Sequence, residues 1–250
     1  MKNRIIRLSK ILSHFGVCSR REAERIISEG KVKINGKIYK DFSVNNYEIK
    51  TISVDGKELS KEKDRLWIFN KPIGYVSSNK EQKAQKSLFR LFPDFIPRVV
   101  TVGRLDILSE GLIIVTNNPS IATFLENPQN KVKRKYLVNV KGEITHDLIN
   151  KTKKNLLING QLYRKVNLEI INSKNNSHSL EIELFEGKNR EIRKILGHFN
   201  LKVTKLKRIE YGPFRLGSLS IGKLKEISDK KLSVFLKRIK FNNENNFWEI

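Results

Sequence analysis

The segment Gly103–Asp106 contains the residue with the most suggestive chemistry in this sequence. It reads Gly-Arg-Leu-Asp and lies just ahead of an apolar stretch at 111–116. A carboxylate is ionised at neutral pH, so Asp106 could act as a nucleophile without a separate base to activate it. An aspartate ahead of a strand is, however, more often a turn or cap residue. The segment alone leaves both interpretations open.

Four other segments accompany Gly103–Asp106 in a definite order. They are 70–76 (Asn-Lys-Pro-Ile-Gly-Tyr-Val), 134–138 (Arg-Lys-Tyr-Leu-Val), 186–193 (Glu-Gly-Lys-Asn-Arg-Glu-Ile-Arg) and 208–213 (Arg-Ile-Glu-Tyr-Gly-Pro). In order and spacing the five segments resemble the S4-domain-containing rRNA pseudouridine synthases, and they are most similar to the large-subunit rRNA branch. The resemblance extends from about residue 4 to 236.

The resemblance implies an isomerisation of uridine to pseudouridine in rRNA. The C1′–N1 bond is broken, the base turns, and C1′ is joined to C5, with no atom added or removed overall. We therefore expect neither a cofactor nor a metal ion. The histidines fit this expectation, because none stands at metal-ligand spacing from a cysteine or carboxylate; they are His14, His146, His178 and His198.

Three residues take catalytic roles by the same resemblance. Asp106 is the nucleophile, and both attack on the sugar and assistance of elimination to a glycal remain open. Arg193 would pair with Asp106 and keep it ionised. Tyr136 would stack on the uracil, with a proton relay at C5 as a further role. The alternatives are an RNA-facing charge for Arg193 and an ordinary strand aromatic for Tyr136.

Five further residues are predicted to bind the substrate. Arg104 would handle the extruded nucleotide, since the target base must leave its stack to reach Asp106. The full set is Arg104, Leu105, Ile192, Lys71 and Arg190. The sequence departs from the family pattern at two places. Ser109 replaces the usual Thr, and 126–130 lacks the usual His-Pro form, which bears on the exact target.

The first 60 residues predict a separate RNA-binding unit. Apolar residues at helical spacing precede Gly16, and the capping box Ser19–Glu22 opens a second helix. Short strands follow, with a hairpin turn at Asn35-Gly36. This order resembles the S4 RNA-binding domain, which binds structured RNA largely through its backbone and shape.

Charge supports a polyanionic partner. The formal net charge is +24, and the excess of basic residues is clustered, most densely between Glu186 and Arg208 and again at 131–135. We interpret these clusters as a groove for an RNA backbone. The residues predicted to bind RNA are Lys10, Arg20, Arg21, Lys31, Lys33, Lys188 and Arg208.

The predicted fold class is α+β. A small S4-type αα-β RNA-binding domain at 1–60 is followed by a linker at 61–65. A catalytic domain at 66–240 has a mostly antiparallel mixed β-sheet flanked by helices, and a flexible tail occupies 241–250. The expected strands lie at 66–70, 111–116, 136–140, 180–185 and 203–209, with helices at about 118–126 and 189–199.

Composition narrows the cellular setting. Cys18 is the single cysteine, which suits a reducing compartment, and no apolar run approaches the roughly 20 residues of a membrane-spanning helix. We expect a cytoplasmic monomer whose partner is rRNA or a ribosomal precursor particle, without a membrane. The alternatives are the same reaction on small-subunit rRNA and a non-catalytic S4-type ribosome-assembly factor.

Overall fold

The N-terminal part of the chain consists of helices followed by short strands. The computed structural model describes residues 5–60, 62–78 and 85–241. Within residues 5–60 the elements are β1 (Ile5–Arg7), α1 (Leu8–His14), α2 (Arg20–Ser28), β2 (Val32–Ile34), β3 (Lys37–Ile38), β4 (Ser43–Asn45), β5 (Ile52–Val54) and β6 (Lys57–Glu58). The strands form an antiparallel sheet of order β3-β2-β5-β6 and a separate β1-β4 pair.

The local signals of the sequence act here as predicted. The Ser19 hydroxyl accepts a hydrogen bond from the Glu22 N–H at 3.2 Å and so caps α2. Asn35 and Gly36 both have positive φ, 51° and 79°, which is the geometry of a primed hairpin turn between β2 and β3. The predicted helix cap and hairpin are therefore confirmed.

The hydrophobic cores change at the end of this unit. One core cluster runs from Ile6 to Val54, with Leu59 packed against it, and the clusters of the following part begin at Leu66. Residue 61 lies outside the described residues. The predicted boundary at 61–65 stays a prediction.

The remaining chain builds a large mixed sheet with helices on its faces. Its elements are β7 (Leu66–Lys71), β8 (Val100–Val102), β9 (Glu110–Thr116), α3 (Pro119–Glu126), β10 (Arg134–Lys141), α4 (His146–Thr152), β11 (Leu156–Ile158), β12 (Gln161–Tyr163), β13 (Asn167–Lys174), β14 (Ser177–Leu184), α5 (Glu191–His198), β15 (Lys202–Tyr211), β16 (Phe214–Arg215), β17 (Leu224–Glu226) and α6 (Asp229–Arg238). The strand order is β13-β14-β10-β15-β9-β7-β17, with β8 against β9 and β16 against β15.

Alternation along the central strands creates two cores. Trp67 and Phe69 of β7 face the cluster that α5 covers, whereas Leu66 and Ile68 face the cluster covered by α3 and α6. Since side chains alternate between the two faces of a strand, β7 and β9 are buried on both sides. These two strands form a rigid base for the loops at their ends.

A parallel seam joins the two halves of the sheet. β15 pairs with β9 in parallel, with Lys207 opposite Glu110 and Arg208 opposite Gly111. Gly111 has φ +100°, and a Cβ there would overlap the Arg208 carbonyl oxygen and lie 2.9 Å from the Arg208 nitrogen. Glycine is needed at this position for both its conformation and the close approach of the strands.

The fold class is confirmed, with α+β architecture and pairing that is antiparallel except at this seam along the described strand order. The sequence did not predict β13, α4 or α6. Phe241, the first residue of the predicted tail, packs its ring against Phe124, with centroids 5.3 Å apart. Residues 242–250 lie outside the described residues. In the described ranges, no helix combines the length and apolarity required to cross a membrane.

Substitution of Gly111 by Ala should separate the two strands of the seam. We expect Gly111→Ala to lower the free energy of unfolding by at least about 2 kcal/mol, because it adds both strain and a clash. Gly197→Ala is the matched control: Gly197 lies in α5 with open space around it, so alanine should stabilise the protein by about 0.5–1 kcal/mol. Urea unfolding measures both, and equal effects of the two substitutions would contradict the proposed close approach.

Candidate active site

Asp106 lies in the loop that connects β8 to β9. The Ser109 N–H donates to the Asp106 carbonyl oxygen at 3.0 Å and closes a turn, while the Asp106 side chain remains 29% exposed. Asp106 also lines a cavity of about 940 Å³. The residue is therefore both a turn residue, through its backbone, and a carboxylate open to the cavity, so the two interpretations of the sequence are compatible.

Lys71 binds the backbone of this loop through its side-chain ammonium group. Its side chain is fully buried, and its Nζ donates to the carbonyl oxygens of Asp106 (3.2 Å), Ser109 (2.8 Å) and Pro72 (3.0 Å). Burial lowers the pKa of Lys71 to about 8, although the nearby Asp106 and Glu110 carboxylates act in the opposite direction. The prediction that Lys71 binds substrate is corrected. Its ammonium group donates to three backbone carbonyls, and the residue does not line the cavity.

Two more contacts fix the segment ahead of Asp106. The Ser77 hydroxyl donates to the Leu105 carbonyl at 3.1 Å and accepts from the Leu105 N–H at 3.2 Å. The Glu126 carboxylate accepts from the Gly103 N–H at 2.6 Å, where Gly103 has φ +67°. The sequence did not predict these roles of Ser77 and Glu126, because neither residue lies in a pattern that indicates a side chain bonded to a distant backbone group.

The charged partner of Asp106 is Arg190. Its Nη1 lies 3.6 Å from the Asp106 Oδ2, and its backbone adopts a left-handed conformation at the N-cap of α5. Arg193 instead donates to the carbonyl oxygens of Val203 (3.3 Å) and Leu108 (3.2 Å). The predicted Arg193–Asp106 ion pair is thereby corrected. Helix α5 begins at Glu191, so Arg190 reaches the cavity while Arg193 points back into the fold.

Arg193 still contributes to the electrostatics of the loop. Burial lowers its pKa, Arg190 lowers it further, and Asp106 acts to raise it. Its bond to Leu108 restrains the loop two residues after Asp106. The structure thus gives Arg193 a position behind the site, with a longer-range attraction to the carboxylate.

The cavity wall brings together most of the residues predicted for the substrate. Tyr136, Leu105 and Ile192 belong to its apolar part, and each is buried to 7% exposure or less. Tyr136 lies on β10 opposite Arg208 of β15. Arg104 and Arg190 are exposed at the same wall. Aromatic and aliphatic surfaces beside a carboxylate and two guanidinium groups suit a flat base attached to a phosphate backbone.

The floor beside Tyr136 is built from two arginines and a tyrosine. The guanidinium groups of Arg134 and Arg208 lie over the Tyr211 ring at 4.6 and 4.9 Å, and Arg134 Nη2 donates to the Tyr211 hydroxyl at 2.7 Å. Arg208 Nε donates to the Leu112 carbonyl. Arg208 is only 2% exposed, although it lines the cavity. Its predicted contact with RNA stays a prediction. Burial raises the pKa of Tyr211.

Part of the predicted basic groove is neutralised by neighbouring strands. Lys133 pairs with Glu183 at 2.8 Å and Lys135 with Glu181 at 2.7 Å, across the β10–β14 pairing. Lys188 donates to the Leu162 carbonyl and to Glu186, but its side chain is still 33% exposed and lines the cavity. Its predicted contact with RNA stays a prediction. Several lysines of the clusters at 131–135 and 186–208 are therefore paired within the protein, and the groove for an RNA backbone stays a prediction.

The N-terminal basic residues are better placed for RNA. Lys10, Arg20, Arg21, Lys31 and Lys33 are all exposed. Lys10 lies close enough to Arg20 to feel its charge: burial is the larger cause of its lowered pKa, and Arg20 adds to it. Lys31 pairs with Glu29 at 2.8 Å. The assignment of these five residues to RNA stays a prediction.

Metal binding has no evident site in the part of the chain that the structure describes. Across residues 5–60, 62–78 and 85–241, no group of three or more His, Cys, Asp or Glu side chains is arranged to hold an ion. The expectation of a reaction without metal or cofactor stays a prediction.

Comparisons with known proteins identify the class. The family model described as RNA pseudouridylate synthase matches residues 65–198, and the S4 domain model matches residues 6–44. An uncharacterised RNA pseudouridine synthase of Rickettsia typhi is 41% identical over 96% of this chain and 98% of its own length. The chain therefore belongs to the RNA pseudouridylate synthase family and is a pseudouridine synthase that acts on RNA.

Two further similarities refine this picture. The ribosomal large subunit pseudouridine synthase B of Bacillus subtilis is 32% identical, over 89% of this chain and 92% of its own length. A solved pseudouridylate synthase superposes with a TM-score of 0.66 at 22% identity, covering 92% of this chain and 99% of that one, which supports the fold. The predicted family and enzyme class are confirmed, and the alternative of a non-catalytic assembly factor is set aside.

The buried Lys71 amine should give stability a distinctive pH dependence. Its pKa falls from 10.5 to about 8 on folding, so between these pH values the unfolded chain binds more protons than the folded one. Lowering the pH from about 10.5 to 8 should therefore destabilise the wild type relative to Lys71→Met. Urea unfolding across this range measures the difference.

The same substitution should destabilise the protein at neutral pH by about 3 kcal/mol. The Pro72 and Ser109 carbonyls lose the Lys71 donor, and the Asp106 carbonyl keeps only the Ser109 N–H. Lys57→Met, at an exposed position of β6, is the control and should show neither effect. Parallel stability curves for the wild type and Lys71→Met would contradict a buried amine that titrates in this range.

Proposed function

We propose that this protein converts a specific uridine of large-subunit rRNA to pseudouridine, with Asp106 as the nucleophile. The observation that carries the proposal is that the backbone and the side chain of Asp106 have separate contacts. Lys71 and Ser109 engage its carbonyl oxygen, which leaves its carboxylate open to the cavity beside Arg190. A carboxylate held in this way needs no base to become nucleophilic.

The reaction sets the requirements for the cavity. The C1′–N1 bond breaks, C1′ joins C5, the C5 proton is lost and N1 gains a proton, so that the atoms balance. The base must turn while it is detached and must not escape. Tyr136, Leu105 and Ile192 supply the apolar wall that retains it, with Tyr136 stacking on the uracil ring.

The cationic groups of the wall handle the backbone. Arg104 is adjacent to the nucleophile in sequence and exposed at the cavity, which suits a contact with the flipped nucleotide or with the gap that it leaves. Arg190 lines the cavity beside Asp106 and is 48% exposed, so it can bind a phosphate next to the target. Arg193 supports the site through the Leu108 carbonyl.

The choice of rRNA rests on the relatives and on the S4 domain. Relatives named ribosomal large subunit pseudouridine synthase B, from Bacillus subtilis and Buchnera aphidicola, are 32% and 34% identical to this chain. The exposed cations on α1, α2 and β2 suit a structured RNA backbone. Small-subunit rRNA is the alternative substrate. Cytoplasmic location and a monomeric state remain predictions.

The nucleophile assignment predicts a variant that binds RNA but does not react. Asp106→Asn keeps the shape of the side chain but removes its charge, so we expect a rate loss of at least about 1,000-fold with little change in RNA affinity. Pseudouridine mapping of rRNA from a deletion strain, complemented with either form, names the substrate and the position together. Equal restoration by both forms would reject Asp106, and a restored site in small-subunit rRNA would favour the alternative substrate.

The S4 domain should contribute affinity through phosphate contacts. Reversing the charges of Arg20 and Arg21 to Glu should weaken binding of large-subunit rRNA and lower the slope of log affinity against log salt by about 2. Turnover of a minimal uridine-containing RNA should change little, because it does not extend to α2. An unchanged salt slope would reject this role for the two arginines.

A further inference from the structure

A pair of buried carboxyl groups lies at the same cavity without a role in the reaction. Glu186 follows β14 and is 6% exposed, and Glu191 opens α5 and is 4% exposed. Both line the cavity. They lie at the two ends of the turn 187–190, which carries Arg190. Buried acidic side chains are rare unless they are paired or protonated.

The surrounding groups satisfy Glu186 better than Glu191. Glu186 Oε1 accepts from the Arg164 N–H at 2.9 Å and from Lys188 Nζ at 3.1 Å, and Arg164 Nε lies 3.8 Å from its Oε2. Glu191 Oε2 accepts from the Lys188 N–H at 2.9 Å. Among the residues that the structure describes, no ordinary N–H or O–H donor reaches the buried Glu191 Oε1. The charged group of β10 nearest the turn is the Arg134 guanidinium, 3.7 Å from the place of a Gly187 Cβ.

The two carboxyl groups also act on each other. Burial is the main cause that raises the pKa of Glu191 to about 7, and the neighbouring Glu186 adds to it through charge and hydrogen bonding. Burial acts to raise the pKa of Glu186 as well, but the Arg164 N–H and Lys188 outweigh it, so that this pKa is lowered. Below neutral pH the favoured state of the pair therefore carries one proton, on the Glu191 side.

Glu191 determines the shape of the Arg190 turn. Its carboxyl accepts from the Lys188 N–H, and its own N–H donates to the Lys188 carbonyl at 3.1 Å. These reciprocal bonds enclose Arg190, whose φ of 53° is unusual for a residue with a side chain. The conformation directs the guanidinium to Asp106, 3.6 Å away.

We propose that Glu186 and Glu191 are positioning residues, which hold the Arg190 turn against Asp106 by sharing one proton. The proposal rests on the proposed function of Asp106. When the shared proton is lost, two negative charges face each other in a buried place, the turn loosens, and Arg190 leaves the carboxylate. The rate of pseudouridine formation then falls although Asp106 itself is unchanged.

The shared proton can be tested on the protein alone. A glutamate in the unfolded chain ionises near pH 4.5, whereas Glu191 keeps its proton to about pH 7, so the unfolded chain binds fewer protons in this window. The folding equilibrium constant of the wild type, relative to Glu191→Gln, should therefore fall by up to about tenfold per pH unit as the pH rises from 4.5 to 7.

The control for this measurement is Glu58→Gln, at an exposed position of β6. Its folding equilibrium should keep a nearly constant ratio to that of the wild type between pH 5 and 7. A constant ratio for Glu191→Gln as well would overturn the shared proton.

The positioning role is tested by the pH dependence of the reaction rate. With a large-subunit rRNA transcript tritiated at uridine C5, the single-turnover release of tritium by the wild type should fall several-fold between pH 6 and 8. Glu191→Gln cannot ionise and can still accept the Lys188 N–H, so its rate should stay within about threefold of the wild-type rate at pH 6 and should not fall. Glu191→Ala should be slow throughout.

A variant of Arg190 tests whether the effect of Glu191 on the pH dependence of the rate depends on the position of Arg190. In an Arg190→Ala background, Glu191→Gln should no longer alter the pH profile. Identical profiles for the wild type and Glu191→Gln, or an effect that persists without Arg190, would overturn the positioning role. Failure of the proposed function gives a different result, because Asp106→Asn would then remain active. That result would overturn the positioning role too, but the stability difference between the wild type and Glu191→Gln would persist.

Discussion

The site depends on one buried ammonium group. Lys71 gathers three carbonyl oxygens of two chain segments, Pro72 on one side and Asp106 and Ser109 on the other. Without Lys71 the Pro72 and Ser109 carbonyls would lose this donor, at a cost of about 1–3 kcal/mol each, and the Asp106 carbonyl would keep only the Ser109 N–H. Because the loop is anchored through its backbone, the Asp106 carboxylate is spared a structural task. A charge placed below the loop in this way organises the site without entering it.

The sequence predicted what depends on local pattern. The Ser19 cap, the Asn35-Gly36 turn and the long apolar strands all appear as expected, and Asp106, Tyr136 and Ile192 converge on one cavity. The strand β13 escaped prediction because it lies at the edge of the sheet and is exposed along most of its length, which leaves no clear alternation.

The roles of individual basic side chains were much harder to predict. Lys71, Arg193 and Arg208 were all assigned to substrate, to Asp106 or to RNA, yet each is engaged by backbone carbonyls. Whether a cation faces RNA or the interior depends on tertiary packing. In the case of Arg190 and Arg193 it depends on the single residue at which α5 begins. A net charge of +24 therefore overstates the cationic surface, since β14 carboxylates and buried carbonyls bind several of these groups.

The parallel seam between β9 and β15 affects how the enzyme folds during its synthesis. Its paired residues are nearly one hundred positions apart in the chain, and long-range strand pairing of this kind forms slowly. Asp106 precedes β9, whereas Arg208 of the cavity wall belongs to β15, so the cavity is incomplete until both halves of the sheet have joined. On the ribosome, a growing chain acquires its S4 unit first and its catalytic cavity only after most of the polypeptide has been synthesised. The nascent protein thus passes through a stage in which its N-terminal core is complete but its cavity is not.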